Sequence, residues 1–117
     1  FQLKKNKMKM ILEVKSATLV ENGIAKFPDA ITERGKRHVE HLNKMASKNV
    51  QTMILFVIQR PDTNYFQLQW KRDPKFSNAL LNAWENGLQV KVIKIKMTQN
   101  ALIYMGEVPF ELNYKKT

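Results

Sequence analysis

The sequence contains no cysteine, which excludes disulfide staples and thiolate metal sites. That absence fits a reducing, cytoplasmic compartment. Glycine and proline are scarce, four of each in 117 residues, so neither a flexible linker nor a low-complexity segment is expected. The longest purely apolar run, Met53 to Ile58, falls far short of the roughly 20 residues that span a bilayer, and no membrane partner is expected. No glycine-rich loop of the phosphate-cradling kind is present, and no serine has convincing triad partners. No signal-peptide pattern opens the chain. It starts on Phe1 inside a segment that reads as a strand, which suggests a boundary within a longer protein. Acidic residues are also in short supply, 10 Asp and Glu against 20 Lys and Arg.

The resulting net charge of +10 is a field that attracts polyanions and speeds their association. Lysine outnumbers arginine and asparagine is frequent, so an AT-rich coding sequence offers a second, purely compositional reading. Clustering of part of the charge favours a nucleic acid. The length suits one domain, residues 1–117, able to bury a core without staples.

Residues 1–5 and 9–16 read as a hairpin around a Lys-Asn-Lys turn. In its second strand Met10, Leu12 and Val14 share one face, and Ile11, Glu13 and Lys15 share the other. Residues 20–27 read as short and irregular, with a turn at Asn22-Gly23. A first helix is expected over residues 32–48, capped by Thr32, with Ile31, Gly35, Val39, Leu42 and Ala46 as its apolar stripe. Residues 51–59 predict a central strand covered on both faces. A strand over 65–70 precedes a second helix opened by Asp73-Pro74 and closed at Gly87. Phe76, Ala79, Leu80, Ala83 and Trp84 are its expected buried face, with Trp70 also in the core. A strand follows over 88–98, against which 101–104 can pair, and the remainder reads as a tail or edge strand. Lys91, Lys94 and Lys96 read as protection for an edge strand. The order implies an α/β fold, a mixed sheet flanked by two main helices.

Three groups can carry chemistry. Glu13 and Lys15 lie two apart on one strand face, where a carboxylate can hold a divalent cation and an ammonium can stabilise developing charge. On spacing alone the pair also reads as a surface ion pair worth little. Arg34, His38 and His41 border the helical stripe, with Lys36 and Arg37 nearby, placed to reach phosphates or simply to solvate the helix. Arg60 ends the central strand, a common position for functional groups in α/β sheets.

Residues Leu12-Glu13-Val14-Lys15-Ser16-Ala17-Thr18-Leu19-Val20 and Phe27-Pro28-Asp29-Ala30-Ile31-Thr32-Glu33-Arg34-Gly35-Lys36-Arg37-His38 closely resemble the sugar fermentation stimulation protein family. The resemblance continues through Phe56 to Arg60, Asp73 to Phe76 and Gly87 to Val90. It implies the second domain of a two-domain protein, with a PD-(D/E)XK restriction-endonuclease-like fold, following an N-terminal OB-like domain as its partner in the same chain. It implies DNA binding, sequence-non-specific or regulatory, connected with sugar utilisation in bacteria or archaea. Lys15, Arg34, Lys36, Arg37, His38 and Arg60 are the expected DNA contacts. The alternative it implies is a nuclease using Mg2+ or Mn2+ in the full-length protein, with Glu13 and Lys15 in the (D/E)-x-K element and Glu13 as metal ligand. The family's first metal-binding aspartate would precede Phe1. The residues here would then rely on Glu13, a backbone carbonyl and Glu33, hold metal weakly and be inactive alone. The oligomeric state stays open.

Overall fold

In a computed structural model of the chain, residues 2–5, 8–46 and 49–114 are described. Among them, strands β1 (Gln2–Lys5), β2 (Met8–Ala17), β3 (Leu19–Glu21) and β4 (Ile24–Phe27) precede helix α1 (Glu33–Met45). Strands β5 (Val50–Ile58) and β6 (Tyr65–Leu68) lead to helix α2 (Pro74–Glu85). Strands β7 (Gln89–Met97), β8 (Leu102–Glu107) and β9 (Phe110–Glu111) complete the order.

The apolar run expected at the centre is β5, the middle strand of a five-stranded sheet ordered β1-β2-β5-β7-β8. Strands β2, β5 and β7 run parallel, and β1 and β8 pair antiparallel at the two edges. The expected hairpin at the start is therefore present, although Phe1, Asn6 and Lys7 lie outside the described residues. A second sheet, ordered β3-β4-β6-β9, was not legible in the sequence. Its strands are two to four residues long, too short for alternation to show. The segment expected to be irregular is a hairpin: Asn22 and Gly23 both take positive φ, 52° and 79°, as a two-residue turn matched to strand twist requires. The segment read as a tail contributes β9 and the buried Val108 and Leu112.

Both helices and the second sheet cover one face of the large sheet. That face presents Ala17 of β2, Thr52, Ile54, Phe56 and Ile58 of β5, and Val92 of β7, all buried. Phe56 sits at its centre, its ring 5.1 Å from that of Phe27 and 4.6 Å from that of Phe66. The expectation that β5 is covered on both faces is corrected: Met53, Leu55 and Val57 on the opposite face are only partly covered. The lysines of β7 do not guard an edge either, because β8 lies outside them. Lys91 instead pairs with Glu107 of β8 at 3.1 Å, and Lys94 donates to the carbonyl oxygens of Pro61 and Thr63 at 3.3 and 2.9 Å.

The helices end where their caps dictate. The Thr32 hydroxyl accepts from Gly35 N at 2.9 Å, and α1 buries Gly35, Val39 and Leu42. It stops at Met45, short of the expected 48, and Ile31 before the cap is 72% exposed instead of joining the stripe. The Asp73 carboxylate accepts from Phe76 N at 3.0 Å and opens α2, which buries Phe76, Leu80 and Ala83. Trp84, expected in the core, lies at the helix end and is 39% exposed, edge-on to Phe110. Trp70 is half-buried and donates from Nε1 to Leu112 O at 3.0 Å.

Gly35 lets α1 pack close against Phe76 of α2. A Cβ there would sit 2.9 Å from Thr32 Oγ1 and Cγ2 and 3.3 Å from the Phe76 ring. Alanine is the better helix former by about 1 kcal/mol, yet Thr32 cannot retreat without losing its cap. Gly35→Ala is therefore expected to destabilise by a net ~1–2 kcal/mol in urea unfolding. An unchanged or raised midpoint would show that the helices part at no cost.

Candidate nucleic-acid interface

Topology gathers the candidate residues at one end of the molecule. Each helix leads into a parallel strand and so runs back along the sheet. Both helix N-termini thus lie at the carboxyl ends of β2, β5 and β7, where ligand sites of open α/β sheets form. The two N-termini are tied together by Asp73, whose second carboxylate oxygen accepts from Thr32 N at 2.8 Å.

On one flank of α1, β2 presents Glu13 and Lys15 on the inner face, in register with Ile54 and Phe56 of β5. Lys15 Nζ lies 3.3 Å from Glu13 Oε1 and 2.8 Å from Nδ1 of His38 on α1. His38 Nδ1 is itself 3.3 Å from Glu13 Oε1. Glu13, Lys15 and His38 thus form one close cluster joining β2 to α1. The Lys15 side chain is 16% exposed, well shielded for a lysine. It is enclosed between a carboxylate and an imidazole. The sequence placed Glu13 and Lys15 on one face; the partnership with His38, 23 residues away, is tertiary.

On the other flank of α1, a cleft of about 430 Å³ opens between the two helix N-termini. Lys36 and Arg37 of α1 line it together with Arg72 and Lys75 beside the start of α2. Sequence reasoning missed the last two. A local signal existed: α2 has no acidic residue in its first turn beyond its N-cap Asp73, and Arg72 and Lys75 flank that cap although cations beside a helix N-terminus oppose its dipole. Arg34 and His41 are exposed on α1.

Two expectations separate from this group. Arg60 is bidentate to Asp62, at 2.9 and 2.7 Å. These hydrogen bonds hold the Asp62 carboxyl below its usual range and push Arg60 up. Its charge is thereby locally neutralised. Glu33 lines the α1–α2 cleft, on the far side of α1 from Glu13, and does not join it. Among the described residues no three His, Cys, Asp or Glu side chains gather to hold a metal. Glu13 offers one carboxylate and the facing His38 nitrogen is occupied by Lys15, so these residues do not complete the six-fold or higher oxygen shell of a hard cation. Among the described residues no helix is long and apolar enough to cross a membrane.

Comparison with known proteins gives a consistent result. Residues 1–101 match the family described as "Sugar fermentation stimulation protein RE domain". A "Sugar fermentation stimulation protein homolog" of Sulfolobus acidocaldarius is 42% identical over 106 residues, covering 88% of this chain and 47% of that protein. One of Natranaerobius thermophilus is 39% identical over 104 residues, 89% and 43% respectively. The solved structure "The structure of Pyrococcus Furiosus SfsA in complex with Ca2+" superposes with a TM-score of 0.85 at 32% identity, covering 94% of this chain and 48% of that one. The chain thus spans less than half the length of these relatives. The likeness also accounts for the mixed α/β architecture expected from the sequence.

Proposed function

The chain belongs to the sugar fermentation stimulation protein family, and from that premise we propose that it is a cytoplasmic DNA-binding domain using the carboxyl end of its parallel strands. One observation carries the reading: Lys36, Arg37, Arg72 and Lys75 line one cleft, outnumbering its carboxylates Glu33, Glu40 and Asp73, with Lys15 and His38 on the other flank of the same helix. Such a surface suits phosphates, which position a protein without reading sequence. A regulatory role in sugar utilisation belongs to the whole protein on this reading.

Titration of a labelled duplex by anisotropy across salt concentrations tests it. The logarithm of affinity is expected to fall linearly with the logarithm of salt. Each phosphate contact adds about 0.9 to that slope, so the triple variant Arg34→Ala, Lys36→Ala, Arg37→Ala should lower it by about 2–3. An unchanged slope, or no binding at low salt, would sink the proposal.

The short Glu13–Lys15–His38 contacts favour a second reading, phosphodiester hydrolysis with Mg2+ or Mn2+ by the full-length protein. The named relative carries Ca2+, a hard cation of the kind a carboxylate holds. Here Glu13 would supply one ligand, and Lys15 would stabilise charge developing on the phosphate. Full-length protein and its Glu13→Ala variant, compared on plasmid, single-stranded and branched DNA, decide it: equal cutting by both removes Glu13 from the site.

A further inference from the structure

The outer face of the large sheet is apolar and bare. Strand register places Val14 of β2, Leu55 and Val57 of β5, Ile93 and Ile95 of β7 and Tyr104 of β8 together on it. Among the described residues of these strands, every buried side chain lies on the opposite face. Exposure on the outer face rises toward the β8 edge: Val14 is 41% exposed, Met97 58%, Tyr104 62% and Leu102 65%. Among the described side chains of this face the charged ones are Lys91 and Glu107, which neutralise each other at 3.1 Å, and register adds Lys5 of β1 at the far edge. Most of the +10 of the chain therefore resides elsewhere.

We propose that this face is the interface of a symmetric dimer, covered by the same face of a second copy of the chain. With β5 and β7 nine residues long, five strands spaced about 4.8 Å apart make a face of roughly 20 by 30 Å, or roughly 600 Å². The apolar share of that area reaches the upper part of the roughly 300–600 Å² range of the largest patch on a typical monomer, and such patches are often functional. Two such faces bury roughly 1,200 Å², the lower bound for a specific, stable interface. Sheets pack face to face about 10 Å apart at about −30°, and a two-fold axis through the face lets each copy present the same patch to the other. Two strongly basic chains repel, and the pairing of Lys91 with Glu107 keeps most of this face close to neutral. The α1–α2 cleft, on the helical side, stays open in the dimer.

Light scattering on the nucleic-acid-free, 117-residue chain across a concentration series tests the proposal. The expected mass is that of two chains, falling toward one on dilution and holding at high salt, where nucleic-acid-bridged species dissociate. Val57→Lys at the centre and Tyr104→Lys at the rim should each weaken the dimer at least tenfold. Asn82→Lys, which adds the same charge on exposed α2, should leave it unchanged. Circular dichroism confirms folding, and if Val57→Lys unfolds, the exposed Tyr104 position decides. A monomer at every concentration overturns the proposal and leaves the face to the other half of the longer proteins. A dimer indifferent to Tyr104→Lys overturns it too.

Discussion

Phe56→Ala is expected to destabilise the domain by about 3–5 kcal/mol, a large share of the roughly 5–15 kcal/mol that holds a domain folded. Phe56 has no solvent exposure and links the two sheets, packing on Phe27 of β4 and Phe66 of β6. Phe27 in turn meets Phe76 of α2 at 5.3 Å. Truncation removes the ring that all these layers share. The rigid frame around it, two strands in one sheet and one helix, cannot collapse to fill the space, which places the cost at the upper end for such changes. Equilibrium urea unfolding measures it. A loss below about 1 kcal/mol would mean that the layers close over the gap, contrary to the packing described. Phe56→Leu, which keeps most of the volume, should recover more than half.

The second large effect is expected at Asp73. Its side chain does two jobs, capping α2 through Phe76 N and receiving Thr32 N from the turn before α1, while only 4% exposed. Loss of an N-cap costs about 1 kcal/mol. Leaving enclosed N–H groups without partners adds about 1–3 kcal/mol. Asp73→Ala should therefore cost about 2–4 kcal/mol by the same unfolding measurement. Asp73→Asn keeps one acceptor but turns an amide NH2 toward the other N–H, so it should fall between. An alanine variant as stable as the parent would show that the helix starts are held by packing alone.

The parts of this protein legible in its sequence are those governed by near neighbours. The Asp73-Pro74 start, the Thr32 cap and the alternation that sets Glu13 and Lys15 on one strand face all depend on spacings of one to four residues. The uninterrupted apolar run of β5 announced a central strand for the same reason. The short strands of the second sheet were missed because pairing, not local pattern, makes them strands: β6 lies between β4 and β9, segments distant in the chain.

The same division runs through the candidate site. Arg34, Lys36, Arg37 and His38 read as one basic group in the sequence, yet the turn of α1 separates them. His38 swings toward Lys15 and Glu13, while Lys36 and Arg37 turn to the cleft that Arg72 and Lys75 complete from the other helix. Arg60 looked equally available until its fork closed on Asp62.

By itself the sequence determined the charge, the α/β composition of elements, the caps and the family, since each is written in residue types and short spacings. Only the tertiary structure decided which cations share a surface, that His38 partners Lys15, and that one face of the main sheet is left apolar and bare. Those outcomes depend on which distant segments pack together, and an apolar run such as Met53 to Ile58 looks the same in sequence whether one of its faces is covered or both.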